Sequence, residues 1–200
     1  TVSKVNSLTK EMTENMDKFE LGIAVQKVHD FIWDEFCDWY VEIAKYRIYH
    51  AEEDSQSANC ALWVLKTVLG QALKLLHPFM PFITEEIYGA LVPEEESLMM
   101  SSWPVYREDW EFPYATEVIE HVKAITRGIR NMRAEMNVPN NKRTKVYIIS
   151  SDSKLLTALE VLKESVKPLM LANDIILHYE KKDVADDAVS IVCLLYTSPS

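Results

Sequence analysis

The sequence predicts a mainly α protein, an antiparallel helical bundle with a small C-terminal α+β appendage. Apolar residues recur at spacings of three and four from Val5 to Met136, the repeat of a helix with one face buried. Only four glycines serve 200 residues, whereas sheet proteins need glycine in their tight turns. After Pro139 the repeat shortens to two, in Thr144-Lys145-Val146-Tyr147-Ile148-Ile149, a β-branched alternation that marks a strand.

Taken in order, Val5, Leu8 and Met12 give a first helix, Val5 to Met16, with a narrow buried stripe. A long second helix runs from Phe19 to about Tyr46, with Leu21, Val25, Val28, Ile32, Phe36, Trp39 and Ile43 on one face. Trp33, Cys37, Tyr40 and Ala44 form a second apolar face, as in a helix sandwiched inside a bundle. A polar break at His50 to Ser55 precedes a third helix, Ala58 to Leu76. Pro78 ends that helix and Pro81 suits the first turn of a fourth, Pro81 to Leu91. Leu98 to Pro104 reads as an extended strap closing one end of the bundle. Thr116 opens a fifth helix with a stripe of Val118, Val122, Ile125, Ile129, Met132 and Met136. Beyond the first strand, Ser153 to Leu162 reads as a helix and Val166 to Leu171 as a short one. Asp174 to Tyr179 reads as a strand, and Ala188 to Val192 as another. Residues 1–110 are thus expected to form the bundle, residues 111–193 the long basic helix and α+β subdomain, and residues 194–200 a non-native or disordered tail.

The formal charge of −10 argues against generic nucleic-acid binding, in which phosphate neutralisation supplies most of the affinity. Any RNA contact must therefore use a local basic patch. Cys37, Cys60 and Cys193 are odd in number and far apart, which fits buried thiols in a reducing compartment rather than a disulfide framework. Thr1 to Lys4 has no signal-peptide character and no apolar run approaches the roughly 20 residues of a membrane span, so a cytoplasmic protein is expected.

One such patch exists. Lys123, Arg127, Arg130 and Arg133 fall within an arc of about 120° on the fifth helix, and Lys142, Arg143 and Lys145 follow Pro139. Only Glu135 opposes them between Arg127 and Lys145. Guanidinium forks match phosphate oxygens, which makes this stretch the candidate for holding an RNA backbone; a solvated face, or pairing with acidic residues of the bundle, is the other reading. Lys45 and Arg47 form a smaller patch at the end of the second helix, where cations also satisfy helix carbonyls. His50 with Glu52, Glu53 and Asp54 reads as an acidic turn rather than a metal site, and Asp34, Glu35, Asp38 and Glu42 as a solvent face. No glycine-rich phosphate loop occurs. Catalytic, cofactor and metal residues are therefore not expected.

Four strings occur in order: Phe-Ile-Trp-Asp-Glu-Phe-Cys-Asp-Trp-Tyr from Phe31, Leu-Leu-His-Pro-Phe-Met-Pro-Phe-Ile-Thr-Glu-Glu-Ile from Leu75, Ser97 to Pro104, and Arg-Asn-Met-Arg-Ala-Glu-Met-Asn-Val-Pro from Arg130. With them the chain resembles, from about Val5 to Val192, the helical anticodon-binding domain of class I aminoacyl-tRNA synthetases, and within that class the valyl-tRNA synthetase family. Isoleucyl- and leucyl-tRNA synthetases share the bundle but not Cys-Asp-Trp-Tyr followed by His-Pro-Phe-Met-Pro-Phe, so their equivalent domain is an alternative. The resemblance implies a parent enzyme that uses ATP to attach valine to its tRNA. It also implies a bundle that grips the anticodon arm of valine tRNA, the remaining domains of the same synthetase as partners, and a monomer. The chain has no match to the catalytic motifs or the editing insertion, so alone it is expected to be inactive and to bind no ATP. The family's first bundle helix would precede Thr1 and its terminal coiled coil would follow the appendage. A rival of another class is a non-catalytic helical protein-interaction module.

Overall fold

The computed structural model describes residues 1–94 and 97–180. The expected strand at Ala188 to Val192, Cys193 and the tail 194–200 lie outside the described residues. The chain divides into two compact units, Thr1–Pro113 and a second beginning at Tyr114.

The first unit is a helical bundle built from α1 (Val2–Asp17), α2 (Leu21–Asp30), α3 (Glu42–Tyr49), α4 (Ser55–Leu76) and α5 (Pro81–Leu91). Its core joins Val5, Leu8 and Met12 of α1 to Ala24 and Val28 of α2 and to Val68, Ala72 and Leu75 of α4. The expected long second helix is interrupted: Phe31–Val41 winds as a π-helix between α2 and α3. The wider turn changes which residues share a face, so Phe31, Phe36 and Trp39 are buried while Trp33 is 56% exposed. Trp33 is therefore corrected from core to surface, because a periodicity of 3.6 cannot be carried through a segment with wider turns; Leu21, the first residue of α2, is likewise exposed rather than buried.

The Leu76–Pro81 corner follows its sequence signals. His77 donates its backbone N–H to Leu73 O at 2.9 Å as α4 ends, and Pro81 takes the first turn of α5, where its missing N–H costs nothing. Thr84, fully buried, lies 2.8 Å from His77 Nδ1 and donates to Met80 O at 2.8 Å. These bonds fix the angle between the two helices.

The strap does more than close an end. After a short 3-10 turn at Leu98–Met100 it runs antiparallel along α1. Trp103 Nε1 donates to Thr13 Oγ1 at 3.0 Å, Asn6 exchanges bonds with Arg107 N and O at 2.8 and 2.7 Å, and Phe112 N donates to Ser3 Oγ at 2.8 Å. The first helix thus buries two stripes, an apolar one against α2 and α4 and a polar one, with Asn6 only 2% exposed, under the strap. Cys37 is half-buried and Cys60 exposed, so Cys60 is not the buried thiol expected; it lies on a face of α4 that the bundle leaves open.

The second unit contains α6 (Pro113–Glu135, continued from the first unit's last residue), β1 (Thr144–Ile149), α7 (Ser153–Val166) and β2 (Ala172–His178). The strands pair in parallel, Thr144 opposite Ala172 and Ile149 opposite His178, and the helical crossover supplies the connection that parallel pairing requires. Val146, Ile148 and Ile175 are buried, as are Leu155, Leu156 and Leu159 of α7. The short helix expected at Val166 to Leu171 is instead a turn continuing α7, closed by Ala172 N to Lys167 O at 3.0 Å with Leu171 at φ 52°. The end of α6 has the same geometry. Val138 N donates to Arg133 O at 2.9 Å and Asn137 N to Ala134 O at 3.1 Å, with Asn137 at φ 53°, the paired bonds of a Schellman terminus. Pro139 then prevents further helix.

Candidate nucleic-acid interface

Charge divides unevenly between the units. Residues 1–113 hold 9 Lys and Arg against 20 Asp and Glu, net −11, and residues 114–200 hold 12 against 11, net +1. The basic stretch therefore sits in a part of the chain that is nearly neutral overall.

Two arginines of that stretch meet at the turn after α7. Arg130 Nε donates to Leu169 O at 3.0 Å and Arg143 Nη1 to Pro168 O at 3.3 Å. Carbonyls in the turn beyond a helix lie at the negative end of its dipole and attract guanidinium groups; here Pro168 O accepts from Leu171 N at 3.2 Å as well as from Arg143. Both arginines are exposed. Their anchoring bonds go to neutral oxygens, which leave the positive charge uncancelled, and each fork keeps terminal N–H groups beyond its anchor. Consecutive carbonyls thus seat two cations side by side, one from α6 and one from the turn before β1.

The other residues of the patch divide into exposed and buried. Arg127, Lys142 and Lys145 are exposed. Lys123 is 1% exposed, with Nζ 3.3 Å from Glu120 Oε1, and so offers no charge at the surface. Arg133 is 5% exposed and donates to Thr144 Oγ1, Pro139 O and Lys142 O at 3.2, 3.0 and 2.5 Å. It lies beneath the turn that carries Lys142 and Arg143 rather than on the surface. A 100° projection treats all cations on one arc alike and cannot tell those that fold inward from those that stay out.

The smaller patch belongs to the first unit. Arg47 Nε donates to Ser57 Oγ at 2.6 Å, tying the end of α3 to the start of α4, and Lys45 pairs with Glu42 one turn back. The bond to Glu42 raises the Lys45 ammonium above its ordinary value. His50 is held by Tyr46, whose ring it stacks against at 4.1 Å and whose carbonyl lies 2.8 Å from its Nδ1. Asp54 caps α4 by accepting from Ser57 N at 2.9 Å, so both residues of this acidic turn have structural duties.

Sequence reasoning missed the acceptors that organise the cluster, the carbonyls of Pro168 and Leu169. The available signal was Lys167-Pro168, where a proline near the end of a helix marks a turn whose carbonyls lie at the negative end of the helix dipole.

The family model for the anticodon-binding domain of tRNA ligase matches residues 1–148. The chain is 49% identical over 151 residues to a valine–tRNA ligase of Clostridium perfringens, covering 76% of this chain and 17% of the relative. It is 41% identical over 191 residues to the valine–tRNA ligase of Clostridium acetobutylicum, covering 96% and 21%. To that of Carboxydothermus hydrogenoformans it is 42% identical over 158 residues, covering 79% and 18%. The chain thus spans about a fifth of the length of these relatives. The helical bundle, the strings at Phe31, Leu75 and Arg130, and the match across 1–148 converge: the chain belongs to the anticodon-binding domain family of tRNA ligases.

Proposed function

We propose that this chain is the anticodon-arm-binding part of a valine–tRNA ligase, and that Arg127, Arg130, Lys142 and Arg143 hold the RNA backbone. The observation that carries the reading is the seating of Arg130 and Arg143 on adjacent neutral carbonyls, which positions two forks without cancelling their charge. Fork geometry suits phosphate oxygens, and such contacts position an RNA without reading its sequence. Lys123 and Arg133 are left out of the contact set because both are buried, and Lys45 and Arg47 are assigned to their helix ends. The parent enzyme attaches valine to its tRNA with ATP, in domains outside this chain, and works as a cytoplasmic monomer. Among the described residues no helix is long and apolar enough to cross a membrane.

The alternative of a protein-interaction module is favoured by one surface, where Phe82 and Met99 line the same pocket and are 91% and 72% exposed. Exposed apolar clusters mark contact surfaces. We assign this one to the remaining domains of the same synthetase, which keeps both observations within a single protein.

The test is fluorescence anisotropy of the chain with a labelled valine-tRNA anticodon stem-loop and an anticodon-swapped control. Salt-sensitive binding of both RNAs supports a backbone grip, and preference for the valine stem-loop adds base reading. Absence of binding at ~50 mM salt, where phosphate contacts are strongest, contradicts the proposal.

A further inference from the structure

We propose that Arg133 is a positioning residue for phosphate binding, whose fork holds the 139–144 turn so that Lys142 and Arg143 are presented to the RNA; this rests on the RNA reading above. Its bonds bracket those two cations. Pro139 O lies before them, Lys142 O between them and Thr144 Oγ1 after them, at 3.0, 2.5 and 3.2 Å. The turn closes on itself through one further bond, Lys142 N to Pro139 O at 3.0 Å. Without the guanidinium, Lys142 O would lose its donor and Pro139 O would keep only Lys142 N, and a turn short of donors rearranges towards water.

The partners of Arg133 point beyond a purely structural role. All three are uncharged oxygens, and among the described residues no ion pair joins Arg133 to a carboxylate. A buried cation without a counter-charge is expensive, and an apolar side chain of similar volume is often the more stable filler. A charge kept at that cost beneath an exposed Lys-Arg pair adds to the positive potential that an RNA backbone meets. Lysine would preserve the charge but replace the fork, whose Nη1 and Nη2 reach the three acceptors, with a single ammonium. Charge and position can therefore be separated by substitution.

The experiment is a double-mutant cycle on the full 200-residue chain, read as affinity for the anticodon stem-loop at ~50 and ~200 mM salt. Arg133→Lys is expected to weaken binding about 5- to 30-fold, within the roughly 2- to 160-fold range of coupling between residues in one hydrogen-bond network, although net charge is unchanged. In a Lys142→Ala/Arg143→Ala background the same substitution should change affinity less than about twofold. Loss of equal size in both backgrounds, or wild-type binding by Arg133→Lys while Lys142→Ala/Arg143→Ala binds weakly, overturns the positioning role and leaves the RNA reading intact. Wild-type binding by Lys142→Ala/Arg143→Ala overturns the RNA reading at this turn and the positioning role with it. If circular dichroism shows Arg133→Lys unfolded, Thr144→Val replaces it, removing one of the three acceptors. Its expected loss is about two- to fivefold, again absent in the double-alanine background; no loss in the wild-type background overturns the proposal.

Discussion

The two units use their cations differently. In the first, several cations are matched to carboxylates, Lys4 to Glu35 at 2.7 Å, Lys66 to Glu94 at 3.0 Å, Arg107 to Asp109 at 2.6 Å, and Lys27 to Glu11, while Arg47 bonds to the Ser57 hydroxyl. In the second, lysines still pair with local glutamates, as Lys163 and Lys167 do with Glu160 and Glu164, but Arg130, Arg133 and Arg143 bond to backbone carbonyls and a hydroxyl. A carboxylate cancels the charge it binds; a carbonyl orients it and leaves it in place. In the proposed RNA contact, what the arginines bond to counts for more than the net charge of the chain.

Substitutions that act on one unit alone sharpen this contrast. Reversing both seated arginines, Arg130→Glu with Arg143→Glu, should lower stem-loop affinity about 100-fold or more at ~50 mM salt, because phosphate attraction is replaced by repulsion; anisotropy titration checks it. In the first unit, Asn6→Leu should cost about 1–2 kcal/mol of stability, since it strands Arg107 N and leaves Arg107 O only its bond from Trp110 N, while RNA affinity of the folded chain stays within about twofold. Denaturant unfolding and anisotropy on the same sample would show the separation. Arg47→Ala removes the bond to Ser57 and should cost about 1 kcal/mol, with RNA affinity likewise unchanged; a large affinity loss would break the contrast by giving the first unit a role in RNA binding.

The smallest effect concerns Glu85. Its carboxylate accepts from the Ser97 side chain and from the backbone N–H groups of Leu98 and Met99, which hold its pKa below the ordinary value of 4.5. A carboxyl lowered in the folded state adds stability above about pH 4.5, and that stability is lost as pH falls through the lowered value. Glu85→Gln should therefore be less stable than wild type near pH 7, and the gap should close on acidification. A gap independent of pH would remove the charge from the account.

Much of the fold was legible because its signals are local. The proline pair at Pro78 and Pro81 fixes the α4–α5 corner, and alternation marks β1 over Thr144–Ile149. What escaped was geometry that departs from the ideal repeat. The π-helix at Phe31–Val41 turned Trp33 outward, and an α-helical projection has no way to register wider turns. Helix ends at Phe19 and Leu171, with φ of 58° and 52°, use the left-handed conformation without the glycine that normally announces it. Asn6 gave no sign of burial because its partners lie about a hundred residues away in the strap. In the candidate site the basic residues were visible in sequence, but their sorting was not. Lys123 and Arg133 fold inward while Arg130 and Arg143 stay exposed, and that outcome depends on the carbonyls at the end of α7.

The most direct test of the central claim is the salt dependence of stem-loop binding by the wild-type chain and by Arg130→Ala/Lys142→Ala/Arg143→Ala. Each phosphate contact contributes about 0.7 to 0.9 to the slope of log affinity against log salt. Loss of three contacts should flatten the slope by about 2 to 3 and leave little affinity at ~200 mM salt. An unchanged slope in the triple variant would mean that carbonyl-seated arginines are helix caps alone and that the RNA backbone is held elsewhere.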